Sequence, residues 1–233
     1  MATMTVHNHR RIQQSALATA ERTLLQALAG RMPDWLNSDH LTLLGVLGTV
    51  LAAFGYSAAQ SSTLYLYLAS FGIVLNWFGD SLDGTLARFR RQLRPRYGYY
   101  VDHILDSLGA AILVVGLILG GFMSVAPAAA FLVVYLLLNI HVYLATTATG
   151  EFKISFGLVG PTELRIGMIV GNLFLATHPV VSLSGRQFLL FDVGAVVGVV
   201  VLLSILAISA GRMTRRLYRL ETRPHTWDRR RGA

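Results

Sequence analysis

The sequence predicts an all-α integral membrane protein, with six transmembrane helices and an N-terminal amphipathic helix at the membrane interface. Three observations carry that expectation. Of 233 residues, 54% are hydrophobic and 14% charged, whereas soluble domains average about a quarter charged residues. Six apolar stretches match the roughly 20 residues that a bilayer-spanning helix needs. The Lys and Arg residues, 20 in all, fall mostly between and beyond these stretches.

Residues 1–10 are mixed polar sequence and are expected to be disordered. No apolar core follows His7, Arg10 and Arg11, so a signal peptide is not expected. Residues 11–31 place Leu17, Leu24, Leu25 and Leu28 at helical spacing, interrupted by Gln13, Gln14, Glu21 and Arg22. That is the pattern of an amphipathic helix on a membrane surface. The alternative is a helix packed on a soluble domain, but little soluble sequence exists to receive it. Pro33 and the Asn37–Asp39 cluster then break the chain. The spans follow at 41–59, 63–87, 99–123, 127–149, 157–177 and 188–211. The basic tail reads as a short helix that frays, in contact with anionic lipid. The chain therefore divides into 1–40 (tail and interfacial helix), 41–211 (the transmembrane domain) and 212–233 (basic tail).

Charge sets the orientation. Before the first span lie Arg10, Arg11, Arg22 and Arg31, and the connection after the second span carries Arg88, Arg90, Arg91, Arg94 and Arg96. Lys153 lies between spans four and five, and a run of arginines from Arg212 follows the last span. Arg186 alone belongs to an opposite-side loop. By the positive-inside rule both termini and the 88–97 loop are cytoplasmic. The formal net charge of +8 then marks membrane ends and headgroup contacts, and no nucleic-acid partner is implied. With no cysteine, disulfides, thiolate metal sites and thiol nucleophiles are excluded.

The chemistry is concentrated in residues 80–106, DSLDGTLARFRRQLRPRYGYYVDHILD. Asp80 and Asp83 are three apart and Asp102 and Asp106 four apart, so each pair shares one face of its helix. Brought together, four carboxylates raise one another's pKa and call for a cation. Oxygen-only ligands favour a hard divalent ion such as Mg²⁺, Mn²⁺ or Ca²⁺. Mg²⁺ held by carboxylates commonly completes its shell with substrate phosphates, which points to phosphoryl chemistry. Gly84 and Ala87, with almost no side chain, lie on or near the aspartate face, where a ligand could approach the backbone. The structural alternative is a set of ion pairs between the aspartates and Arg88, Arg90 or Arg94. Carboxylates inside a span are nevertheless costly to hold without a function.

This stretch resembles the signature of the class I CDP-alcohol phosphotransferase (CDP-alcohol phosphatidyltransferase) family, D-x2-D-G-x2-A-R, a spacer, then G-x3-D-x3-D. Asp80, Asp83, Gly84, Ala87, Arg88, Gly98, Asp102 and Asp106 fill its eight fixed positions. The spacer between Arg88 and Gly98 is one residue longer than the usual pattern and falls in the turn between helices. The segment LNSDHLTLLG at 36–45 also resembles the start of the family's first membrane helix. The resemblance implies that Asp80, Asp83, Asp102 and Asp106 bind one or two Mg²⁺ or Mn²⁺ ions gripping the diphosphate of a CDP-linked lipid. Asp106 is implied as general base for the acceptor alcohol. Gly84 and Ala87 would make room for the nucleotide, and Gly98 for close helix approach. Arg88 would pair with the acids or touch a phosphate, and Asn76 could line the nucleotide pocket.

The implied reaction moves a phosphatidyl group from CDP-diacylglycerol to a polar alcohol, releasing CMP. Glycerol 3-phosphate, inositol or its phosphate, and serine are candidate acceptors. A homodimer in a prokaryotic plasma membrane, with its active site facing the cytoplasm, is the implied setting. A second constellation, at 150–167, carries Glu151, Lys153, Glu163 and Arg165. Lys153 and Arg165 could hold an anionic group of the acceptor, with Glu163 beside them. Topology for Lys153 and an ion pair for Glu163 are the alternatives. His103, His141 and Tyr143 read as packed or hydrogen-bonded residues rather than metal ligands, and Asn172 as a bridge between helices. Two further functions stay open: transfer of phosphocholine or phosphoethanolamine from a CDP-alcohol to diacylglycerol, and divalent-cation transport. A transport site is expected near the bilayer midplane between repeats, and this chain has its acids near one edge and no repeat.

Overall fold

A computed structural model describes residues 18–149, 161–183 and 185–221. Among these residues, seven helices and one hairpin follow in order: α1 Ala18–Ala29, α2 Ser38–Ala58, α3 Tyr65–Phe89, α4 Pro95–Leu119, α5 Val125–Thr149, α6 Pro161–Leu175, β1 Val180–Leu183, β2 Arg186–Leu189 and α7 Leu190–Leu220. Among the described residues four helices, α2, α4, α5 and α7, are long and apolar enough to cross a membrane. α3 is as long as α4 and α5, but Asn76, Asp80 and Asp83 lower its apolar character. α6 has 15 described residues, and the start expected for it, at 157–160, lies outside the described residues.

Local sequence explains where the helices begin and end. The Asn37 side chain accepts from the His40 amide at 3.0 Å, and the His40 ring accepts from the Asn37 amide at 3.2 Å. This capping box opens α2. Pro95 in the first turn opens α4, where its missing N–H is no loss. At the end of α3, the Gln92 amide donates to the Ala87 carbonyl and the Arg91 amide to the Arg88 carbonyl. That is a Schellman motif, and it puts Arg91 at φ 58 where glycine is usual. The connection from α3 to α4 thus begins in a closed turn. At the opposite end of the bundle, Ser124 donates to Asp192 from both its amide and its hydroxyl, each at 2.7 Å, tying the start of α5 to that of α7.

α2 and α3 are the most intimate pair. A Cβ added at Gly48 would lie 2.4 Å from the Asn76 amide nitrogen, and one at Gly79 would lie 2.4 Å from that of Gly45. Gly72 meets Ala52 and Gly55 meets Ala69 at 2.5 Å in the same way. The two backbones therefore touch along most of their length, as small residues permit between apolar helices. α4 joins them where Gly116 faces Ala53.

Three features go beyond what the apolar pattern alone predicts. The fold is all-α with one short hairpin among the described residues: β1 and β2 pair antiparallel, Val180 with Leu189 and Val181 with Phe188. Pro179 blocks continuation of α6, and Gly185 takes the positive φ of 79 that the turn requires. α1 packs on the bundle, burying Leu25 and Ala29 with Leu41, Leu82 and Leu86, while Leu24 stays exposed. Its alternative partner is thus α3 itself, a surface that hydropathy alone does not reveal. Finally, the short basic helix expected after 211 is the last part of α7, which runs unbroken to Leu220. The remainder of the tail, the N-terminal segment before Ala18, and Glu151 and Lys153 lie outside the described residues.

Candidate active site

The two halves of the motif stand on adjacent helices, Asp80 and Asp83 on α3 and Asp102 and Asp106 on α4. Oxygens of Asp80, Asp102 and Asp106 come within 4.8 Å of one another. Asp80 and Asp102 are half-buried and Asp106 is exposed, so the cluster opens on the Asp106 side. A guanidinium nitrogen of Arg165, on α6, donates to Asp80 Oδ2 at 2.6 Å. Three elements, α3, α4 and α6, thus meet at one acidic site.

Asp83 faces another way. Its Oδ2 accepts from the Thr42 hydroxyl of α2 at 2.6 Å, and its Oδ1 accepts from the Gly84 amide. Ser38 donates to its carbonyl at 3.0 Å. A three-residue step turns about 60° away round a helix, against about 40° for a four-residue step. Asp102 and Asp106 therefore converge more closely than Asp80 and Asp83. With α2 in backbone contact with α3, the turned-away carboxylate meets Thr42.

The other predicted residues fall as follows. The Arg88 guanidinium donates to Thr85 Oγ1 at 3.1 Å and lies over Gly84, where an added Cβ would meet it at 3.6 Å. Ala87 is half-buried one turn from Asp83. Gly98 is not at a close helix approach: a Cβ there meets nothing within 4 Å, because it sits in the open first turn of α4. Asn76 donates to the Gly45 carbonyl at 3.1 Å and to Thr49 Oγ1 at 3.0 Å, so its amide nitrogen bridges α3 to α2. Glu163 is half-buried in the first turn of α6, and Lys153 lies outside the described residues.

Two of the loop arginines make contacts away from the four motif aspartates. Arg90 reaches the carbonyls of Met32 at 3.0 Å, Pro33 at 2.9 Å and Leu36, fastening the α3–α4 turn to the α1–α2 connection. Arg94 pairs with Asp39 and lies over the Tyr97 ring. The cation found on Asp80 is Arg165, which helix spacing alone could not bring there.

His103 bonds through Nδ1 to the Tyr99 carbonyl at 2.7 Å and packs against the Tyr99 and Tyr143 rings. His141 bonds to Ser209 of α7 at 2.9 Å. Asn172 bridges helices as expected, accepting from Tyr56 at 2.9 Å and donating to Ser70 at 3.0 Å. Two site neighbours were missed by sequence reasoning. Thr42 lies one helical turn after Ser38 in the LNSDHLTLLG segment, a spacing that could have marked it. Glu21 accepts hydrogen bonds from α3 and α6, and no local pattern announces that.

The donor set suits a divalent cation. Three carboxylates converge, one guanidinium offsets a single charge, and all the converging carboxylate atoms are hard oxygens.

Paired helices carrying acidic residues in this order and spacing define a class of membrane transferase. Residues 35–214 match the CDP-alcohol phosphatidyltransferase family, and the chain belongs to it. Members of this family use divalent metal ions, in keeping with the aspartate cluster. Among its relatives is an archaetidylinositol phosphate synthase from Methanothermobacter thermautotrophicus, 34% identical over 102 residues. That match takes in 43% of this chain and 48% of the relative, so it spans about half the length of that protein.

Proposed function

We propose that this protein transfers a phosphatidyl group from CDP-diacylglycerol to the hydroxyl of an inositol phosphate, releasing CMP. The observation that carries this reading is the convergence of Asp80, Asp102 and Asp106 with Arg165 on Asp80. A guanidinium at the acidic site suits a phosphorylated acceptor, because its planar fork matches phosphate oxygens. The relative's name, which ends in inositol phosphate synthase, favours that acceptor over glycerol 3-phosphate or serine.

In this reading Asp80, Asp102 and Asp106 hold Mg²⁺ or Mn²⁺, with Asp83 as a neighbouring carboxylate oriented by Thr42. Bound there, the ion supplies positive charge for the donor's diphosphate. Asp106, the exposed member, accepts the proton of the acceptor hydroxyl. The hydroxyl oxygen forms the new bond to the phosphorus on the lipid side, and the bond from that phosphorus to CMP breaks. CMP leaves with the bonding electron pair. Gly84, Ala87 and Gly98 leave room for the nucleotide, Arg88 borders it, and Asn76 holds α3 against α2 behind it. Arg165, with Lys153 and Glu163, forms the acceptor side.

The proposal extends to topology. α3 and α6 join the four long apolar helices as six membrane crossings, with both termini and the aspartate site on the cytoplasmic side. α1 rests at the interface while packed on α3, and the protein works as a homodimer.

The test is CMP release by purified protein given CDP-diacylglycerol, Mg²⁺ or Mn²⁺, and single alcohols. Inositol phosphate should support turnover, chelation should stop it, and either ion should restore it. Asp106→Asn should lower turnover by about 10³-fold, within the range for removing a general base, without loss of fold. Turnover with glycerol 3-phosphate or serine alone would overturn the acceptor assignment. Turnover only with CDP-choline or CDP-ethanolamine and diacylglycerol would overturn the donor. No CMP from any pair would overturn the enzyme reading and leave cation transport to be tested.

A further inference from the structure

We infer that Glu21 is a positioning residue for the acceptor side of the site, acting through the first turns of α6. The inference rests on the reading above that Arg165 holds the acceptor's phosphate. Glu21 stands in the first turn of α1, outside the aspartate cluster. One of its carboxylate oxygens, Oε1, accepts from Trp77 Nε1 at 2.8 Å, from Ser81 Oγ at 3.4 Å and from Thr162 Oγ1 at 2.7 Å. All three partners are donors, which suits an ionised carboxylate, and hydrogen bonds to a charged acceptor are the strong ones.

The placement of those donors is what matters. Trp77 and Ser81 are one turn apart on α3, and Ser81 directly follows Asp80. Thr162 and Arg165 are three apart on α6 and so share a face. Beside the cluster, α3 and α6 are therefore joined by a pair of ties about one turn apart, Thr162 through Glu21 to α3 and Arg165 directly to Asp80, while Asn172 bonds to Ser70 farther along the same two helices. The buried residues of α6, Asn172 and Leu175, both lie in its second half. Leu164 and Ile166, flanking Arg165, are exposed. Among the described residues, the first turns of α6, which carry Arg165, thus have polar ties and no fully buried side chain. When a substrate phosphate draws the guanidinium from Asp80, the Glu21–Thr162 tie keeps α6 in place beside the cluster.

Steady-state kinetics on the full chain test this, with inositol phosphate and CDP-diacylglycerol each varied at saturating levels of the other. Glu21→Ala should raise the KM for inositol phosphate about tenfold, the scale of losing hydrogen bonds to a charged group. Its kcat and its KM for CDP-diacylglycerol should stay within about twofold. Glu21→Gln keeps an accepting oxygen and should recover most of the acceptor KM. In an Arg165→Ala background, Glu21→Ala should add nothing further, as expected of two residues acting in series. Thr162→Val removes the same tie from the other end. It should reproduce the KM effect even if the Glu21→Ala protein is poorly folded.

A loss shared equally by kcat and both KM values would overturn the inference, since that is the mark of general loosening. Additivity with Arg165→Ala, or no effect of either Glu21→Ala or Thr162→Val, would overturn it as well. An unchanged acceptor KM in Arg165→Ala itself would overturn the assignment of Arg165 together with the inference.

Discussion

Two helix pairs in this protein are joined in opposite ways. α2 and α3 meet backbone to backbone, through glycines at 48, 55, 72 and 79 that leave no room for a Cβ. α5 and α7 meet through side chains, as where His141 bonds to Ser209 and the Phe131 ring lies against Gly198. α7 buries one residue, Ala195, and exposes Val196, Val197, Val200 and Val201. The first pair carries Asp80 and Asp83 and orients Asp83 through Thr42. The second presents apolar surface to its surroundings. Close packing is placed where carboxylates must be held to within an ångström, and loose packing where the neighbour is to be lipid.

The comparison can be broken most sharply with one glycine from each side. Gly48→Leu would drive a side chain into the Asn76 backbone, which cannot yield without parting α2 from α3. We expect a loss of about 3 kcal/mol or more and collapse of CMP release. Gly211, on α7, has nothing within 4 Å of where its Cβ would be. Gly211→Ala should leave activity intact and raise stability by about 0.5 to 1 kcal/mol, through the lower entropy of the unfolded chain. Thermal unfolding in one detergent, beside CMP assays, would read both. Equal effects of the two substitutions would mean that the difference in packing has no energetic content.

A smaller change probes the same interface without forcing it apart. Thr42→Val removes the hydroxyl that Asp83 accepts while nearly keeping shape. Turnover should fall roughly tenfold with the fold retained, the scale for leaving a part-buried carboxylate one donor short. Unchanged turnover would make Thr42 only a packing residue. The smallest expected effect lies in the α3–α4 turn. Arg91→Gly relieves a positive φ and should stabilise by about 1 kcal/mol, seen as a higher unfolding midpoint with CMP release unchanged.

Much of this architecture was legible beforehand because it is local. Long apolar runs mark long helices wherever they pack, and the Asn37–Asp39 cluster marks the break before α2 through bonds made within a turn. Even so, the Gly45, Gly48, Gly72 and Gly79 pattern was present in the chain and passed unread. Its seven-residue spacing on α3 puts two glycines on one face, which is a helix-contact sign. The hairpin at 180–189 was hidden by its shortness, since four-residue strands inside a connection leave no periodicity to measure.

The sequence by itself determined the helix plan, the family signature and the identity of the acidic residues, since each depends on neighbours within a few positions. The tertiary structure decided which carboxylates face one another. It set Asp80, Asp102 and Asp106 together, turned Asp83 to Thr42, brought Arg165 to Asp80 and seated Glu21 between α3 and α6. Where they run between helices, those contacts join residues 22 to 141 positions apart along the chain. Their formation depends on the rotation of each helix about its axis, and that rotation is set by how neighbouring helices pack rather than by the residues along any one of them.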